Sequence, residues 1–139
     1  MITNEMNEEL TKEIYEEEIK HILHTFQKGK IHGPDGFTVE FYLGFYEKLK
    51  KDILKVVKES QRSCKVLGSL NSTFLTIIPK NQKVQSFDDF RPISCCNMIY
   101  KIMAKVIALR MKPILSEIIS EENFCFLFNK KIHDVVSLA

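Results

Sequence analysis

No apolar run in this 139-residue sequence approaches the ~20 residues that a membrane-spanning helix requires. Its start, MITNEMNEEL, lacks the apolar core of a secretory signal. The four cysteines (Cys64, Cys95, Cys96 and Cys125) include no CxxC spacing, and neighbours such as Cys95 and Cys96 rarely bond each other. Internal repeats and low-complexity linkers are missing too. These absences argue against membrane, secreted and disulfide-framework classes and point to an intracellular chain with reduced thiols. His21 and His24 stand one helical turn apart, but no Cys or His lies at zinc-finger spacing from them, so no metal ligands are assigned.

What is present suits a folded domain. Hydrophobic residues at 45% and aromatics at 10% supply a core, and a chain of this size buries roughly two-thirds of its extended surface. The net charge of +2 conceals an asymmetry. Glu5, Glu8, Glu9, Glu13, Glu16, Glu17 and Glu18 face only Lys12 within the first eighteen residues, leaving 19 basic and 11 acidic side chains beyond them. An acidic leader (residues 1–12) ahead of a basic body is compatible with a nucleic-acid partner. It is equally what solvated helix faces look like.

Periodicity predicts an α+β chain, predominantly helical, with one β-hairpin. Tyr15, Ile19, Ile22, Leu23 and Phe26 mark a helix over residues 8–28, stopped by Gly29. IHGPDGF (31–37) is turn chemistry. A second helix, capped by Thr38 and running to about Arg62, has Phe45, Leu49, Ile53, Val56 and Val57 on its apolar stripe and lysines on its other sides. STFLTIIPK and FRPIS then read as two strands joined by a polar loop, with Pro92 confining the second to an edge or to its first residues. Ser94 is placed to cap a third helix carrying Ile99, Ile102, Met103, Val106 and Arg110, with Pro113 in its last turn or just beyond. SEIISEENF reads as a further turn or short helix.

Asp88–Asp89 invites a metal reading, but neighbours on an extended backbone point to opposite faces, and Ser86 supplies turn bonding. The pair therefore reads as a polar turn. The hairpin brings Lys80 and Arg91 to the same end, where an ammonium and a planar guanidinium suit a triphosphate. From spacing alone, two solvated surface cations are the simpler account.

GPDGFTVEFY, LNSTFLTIIPK, SFDDFRPISCCNMIYKIMAKVIALRMKPIL and KKIHDVVSLA fall in the order and spacing of the reverse transcriptases of LINE-type non-LTR retrotransposons. The chain resembles plant copies of these RNA-directed DNA polymerases over roughly residues 13–139. The resemblance implies a right-hand polymerase of which this segment forms the fingers and the entry to the palm. It implies that Lys80 and Arg91 close on the incoming dNTP, and that Lys101, Arg110 and Lys130 face template or primer backbone. RNA template, DNA primer and dNTP are the implied partners; nothing points to a membrane.

The chain departs from the family at Leu109–Arg110–Met111 (usually Asn-Arg-Leu), at Asn129–Lys130 (usually Gly-Arg), at Cys95 (often Leu), and at Phe124 and Phe128 (usually small or polar). Lysine for arginine removes bidentate geometry, so template handling is altered. The family's catalytic aspartates, in a later palm strand and an aromatic-x-Asp-Asp turn, are missing, and the chain reads as truncated before the rest of the palm and the thumb. No catalytic residue is therefore assigned, and Mg²⁺ is expected only for a full-length member. The expectation is an inactive, monomeric fragment with exposed apolar surface that associates only non-specifically. Two alternatives are a non-enzymatic helical nucleic-acid-binding module and an acidic-helix protein-interaction domain.

Overall fold

Helix predominates in the α+β chain described by a computed structural model over residues 3–118. The order is α1 (Asn4–Thr11), α2 (Glu16–Thr25), α3 (Val39–Gly44), α4 (Tyr46–Ser63), β1 (Thr73–Pro79), a 3₁₀ turn (Phe87–Asp89), β2 (Phe90–Cys96) and α5 (Met98–Ile118). No helix among the described residues is long and apolar enough to cross a membrane. The described residues divide into two units: residues 3–13 with 104–118, and residues 14–103.

In the first unit, the Thr3 hydroxyl accepts the Met6 N–H at 3.2 Å and so caps α1. The helix has no basic residue in its last turn. Arg110 supplies the missing positive charge, its guanidinium donating to the carbonyls of Leu10 (3.4 Å), Lys12 (2.5 Å) and Glu13 (3.3 Å). This contact accounts for the first correction: the single helix predicted over 8–28 is two helices, broken across residues 12–15. Glu16, Glu17 and Glu18 then form the first turn of α2, where the helix dipole favours negative charge. The break also exchanges neighbours, because Ile14 is buried and Tyr15, expected in the apolar stripe, is 52% exposed.

In the second unit, α2 packs on α3 and α4 through Ile19, Ile22 and Leu23. The helix predicted from Thr38 to Arg62 is interrupted at Phe45 (φ −107°, ψ 14°), next to Gly44, a poor helix former. Thr38 occupies the N-cap position without a capping bond from its side chain. Phe45 turns outward, and Val39, Tyr42, Tyr46, Ile53 and Val57 are the buried positions. The Tyr46 hydroxyl donates to the Glu16 carbonyl at 2.8 Å, satisfying its polar tip. Ser63 ends α4, one residue past the expected stop, with Cys64 in the left-handed region at φ 53°.

The predicted hairpin forms, with Thr73 opposite Cys96 and Pro79 opposite Phe90. Lys80 N–H donates to Asp89 C=O at 2.7 Å. Strand alternation therefore directs the backbone N–H groups of Thr73, Leu75 and Ile77 away from β2. Pro92, opposite Ile77, and Pro79, opposite Phe90, occupy the same outward-facing class of position, so neither removes a ladder bond. Both faces of β1 are exposed.

Ser94 does not cap α5. It lies within β2 opposite Leu75, because pairing persists to Cys96, and the helix begins at Met98. Asn97 takes the cap position, its carbonyl accepting the Lys101 N–H at 3.1 Å. Pro113 lies inside α5 instead of ending it. The residues after it are good helix formers, and they carry α5 on to Ile118 even though Pro113 cannot donate to the Leu109 carbonyl. Part of SEIISEENF thus belongs to α5, and its remainder lies outside the described residues.

Candidate nucleotide and nucleic-acid interface

The hairpin tip is organised by Asp89. Its carboxylate accepts the N–H groups of Gln85 (2.8 Å) and Ser86 (3.0 Å), and the Ser86 side chain reciprocates to complete a capping box. Those two backbone donors hold the Asp89 carboxyl below the usual carboxylate range. Asp88 contributes its carbonyl, which accepts the Lys80 ammonium at 2.6 Å. The Asp88–Asp89 pair is thus engaged in building a polar turn, by the same hydrogen bonds that fix the 3₁₀ segment.

This turn brings Lys80 and Arg91 together. Arg91 stands opposite Ile78, and Lys80 follows one residue after Pro79, opposite Asp89. By strand alternation the two cations lie diagonally on one face of the hairpin. Both are exposed. The Asp88 carbonyl uses one N–H of the Lys80 ammonium and leaves two for an anion. The arrangement can present a point charge and a planar fork to a polyphosphate.

At the other end, the hairpin is fastened to the GPDG turn. Gly36 N–H donates to the Gly33 carbonyl at 3.1 Å, closing that turn, with Gly36 at φ 76°. Asn97, 4% exposed, accepts the Asp35 N–H at 3.0 Å and donates to the Ser69 carbonyl at 2.9 Å. Asn97 thus ties the turn, the approach to β1 and the start of α5 into one joint. Sequence reasoning assigned it no role; an Asn placed between a strand and a helix was the available signal. Nearby, burial and then Asp35 raise the Tyr42 phenol to about 12.

The remaining predicted cations are dispersed. Lys101, half-buried, lines a cavity of about 300 Å³ with Lys30, Phe26, Phe37 and Met98. The Arg110 guanidinium holds the carbonyls of Leu10, Lys12 and Glu13, at and just beyond the end of α1. Lys130 lies outside the described residues. Cys64, Cys95 and Cys96 are free thiols. Among the described residues no group of three His, Cys, Asp or Glu side chains is placed to share a metal ion.

No known protein-family model matches the chain. It is 29% identical, over 138 residues, to the Transposon TX1 uncharacterized 149 kDa protein of Xenopus laevis. The match covers 99% of this chain and 11% of that protein, so the chain spans about a ninth of the length of this relative. It is thereby a distant homologue of part of a transposon protein.

Proposed function

We propose, from this kinship with a transposon protein, that the chain is a piece of a retrotransposon reverse transcriptase: the fingers and the entry to the palm. The observation that carries the reading is the hairpin register, with Lys80 and Arg91 together at its polar end. In this reading Lys80 neutralises phosphate charge as a compact ammonium, and Arg91 binds it with a bidentate fork. The Asp89-capped turn closes the hairpin beside the two, and Asn97 ties the base of the hairpin to the GPDG turn.

Lys101, Arg110 and Lys130 are assigned to template or primer backbone. Such phosphate contacts give affinity without sequence preference. The chain itself is proposed not to extend a primer, because Mg²⁺-assisted attack on an α-phosphate needs converging carboxylates. Mg²⁺, RNA template, DNA primer and dNTP belong, in this proposal, to the full-length polymerase.

Sequencing the transcript that carries this segment tests the assignment. The coding sequence, intact or decayed, should continue into a palm strand with an aspartate and then an aromatic-x-Asp-Asp turn. Continuation into an unrelated domain would refute it.

A further inference from the structure

Helix α4 sorts its charges by angle. At about 100° per residue, Lys48, Lys51, Lys55, Lys58 and Arg62 fall in one sector about 80° wide, and every α4 position in that sector is basic. The acids lie on its borders, Glu47 on one side and Asp52 and Glu59 on the other. The buried side chains Tyr46, Ile53 and Val57 occupy the opposite face, so the stripe points to solvent. The five cations step along the axis by three or four residues and span about 21 Å.

A helix face that is merely solvated mixes signs through i,i+4 pairs, each of small worth. None of the ion pairs among the described residues uses Lys48, Lys51 or Lys55; Glu47 pairs instead with Lys50 at 3.0 Å, outside the sector. A second observation points the same way. The Lys58 ammonium sits 5.6 Å from the centroid of the Tyr15 ring, which is 52% exposed. A row of cations bordered by a half-exposed aromatic ring is the combination that tracks a single strand and offers an aromatic edge to its bases.

We infer that the Lys48–Lys51–Lys55–Lys58–Arg62 face of α4, with Tyr15 at its edge, binds the phosphate backbone of a single-stranded nucleic acid. The step between cations is on the scale of one nucleotide, so successive side chains meet successive phosphates. A membrane surface is disfavoured because the buried apolar face of α4, centred on Tyr46, Ile53 and Val57, is already used within the unit. The inference stands independently of the hairpin: a nucleotide titration reads Lys80 and Arg91 and is indifferent to this face.

The test is a fluorescence-anisotropy titration of the full chain with a 20-nucleotide oligo-U RNA and with oligo-T DNA, across a salt series. The triple variant K48Q/K51Q/K55Q should bind roughly tenfold more weakly at ~0.1 M salt and lower the salt slope by about 2, since each lost phosphate contact on a single strand removes ~0.7. K48R/K51R/K55R, with the charge kept, should bind like the parent. A control with equal charge loss elsewhere, K28Q/K83Q/K105Q, should change affinity less than threefold. Circular dichroism confirms that each variant is folded. The inference is overturned if the parent chain does not bind, if the α4 variant keeps its slope, or if both glutamine triples weaken binding equally.

Discussion

A β-carbon added to Gly33 would lie 2.5 Å from the backbone nitrogen of Asn97 and 2.6 Å from its Oδ1. Backbone cannot yield at that distance without moving the start of α5. Gly33→Ala should therefore destabilise the fold by about 1–3 kcal/mol, the usual range for overpacking. Asn97→Ala should cost a similar ~1–3 kcal/mol, because it strips partners from the Asp35 N–H and the Ser69 carbonyl. Urea denaturation of both single variants and the double variant checks this. A double variant less damaged than the sum confirms that the two residues form one joint.

Arg110→Ala should loosen the end of α1, since three carbonyls lose a charged donor. Amide exchange over residues 4–13 should accelerate, with a stability loss of about 1–3 kcal/mol. Arg110→Lys should recover little of it, because an ammonium cannot reproduce the planar fork. Full recovery by lysine would show that charge alone holds the break between α1 and α2.

Tyr42 predicts a specific alkaline response. Its folded pKa, about 12, lies above the ordinary value of 10.0. The native state therefore retains the phenolic proton after the unfolded chain has lost it. This contribution to stability is fully present below pH 10 and disappears as pH rises through 12. In Tyr42→Phe, the part of the stability decline over that window that belongs to Tyr42 should vanish. Thermal melts of both proteins between pH 9 and pH 12 decide the matter, and parallel curves would contradict the assignment.

The hairpin carries an exposure hazard. Phe74, Leu75 and Ile77 are 54%, 67% and 56% exposed, and the outer edge of β1 has outward donors and no charged side chain from Thr73 to Ile77. Such an edge pairs readily with another chain. Sedimentation velocity should show concentration-dependent association of the parent protein. Leu75→Lys should suppress it, as an edge charge does. Association unaffected by that lysine would place the sticky surface elsewhere.

The sequence revealed elements whose cause is local and missed those whose cause is distant. The hairpin was readable because TFLTII is β-branched and FRPIS follows a polar loop. The α5 stripe of Ile99, Ile102, Met103 and Val106 was readable from period alone, and all four are buried. The break between α1 and α2 was not, because the arginine that holds it lies 97 residues beyond Glu13 in the chain. Ser94 was mistaken for a cap because a strand's last residues and a helix's first share the same polar vocabulary. Of the candidate site, the shared end of Lys80 and Arg91 was legible; the anchoring by Gly33 and Asn97 was not, since close approach leaves no mark on periodicity.

In the proposed reading, Lys80 and Arg91 grip a nucleoside triphosphate. A ¹⁵N-NMR titration of the chain with dTTP and Mg²⁺ tests it most directly. Shift changes should concentrate over residues 80–91 and include the Arg91 side chain. K80A and R91A should each weaken binding about 10-fold or more, as expected for loss of a charge-assisted hydrogen bond. Shift changes that avoid the hairpin, or that persist unaltered in both variants, would contradict the account.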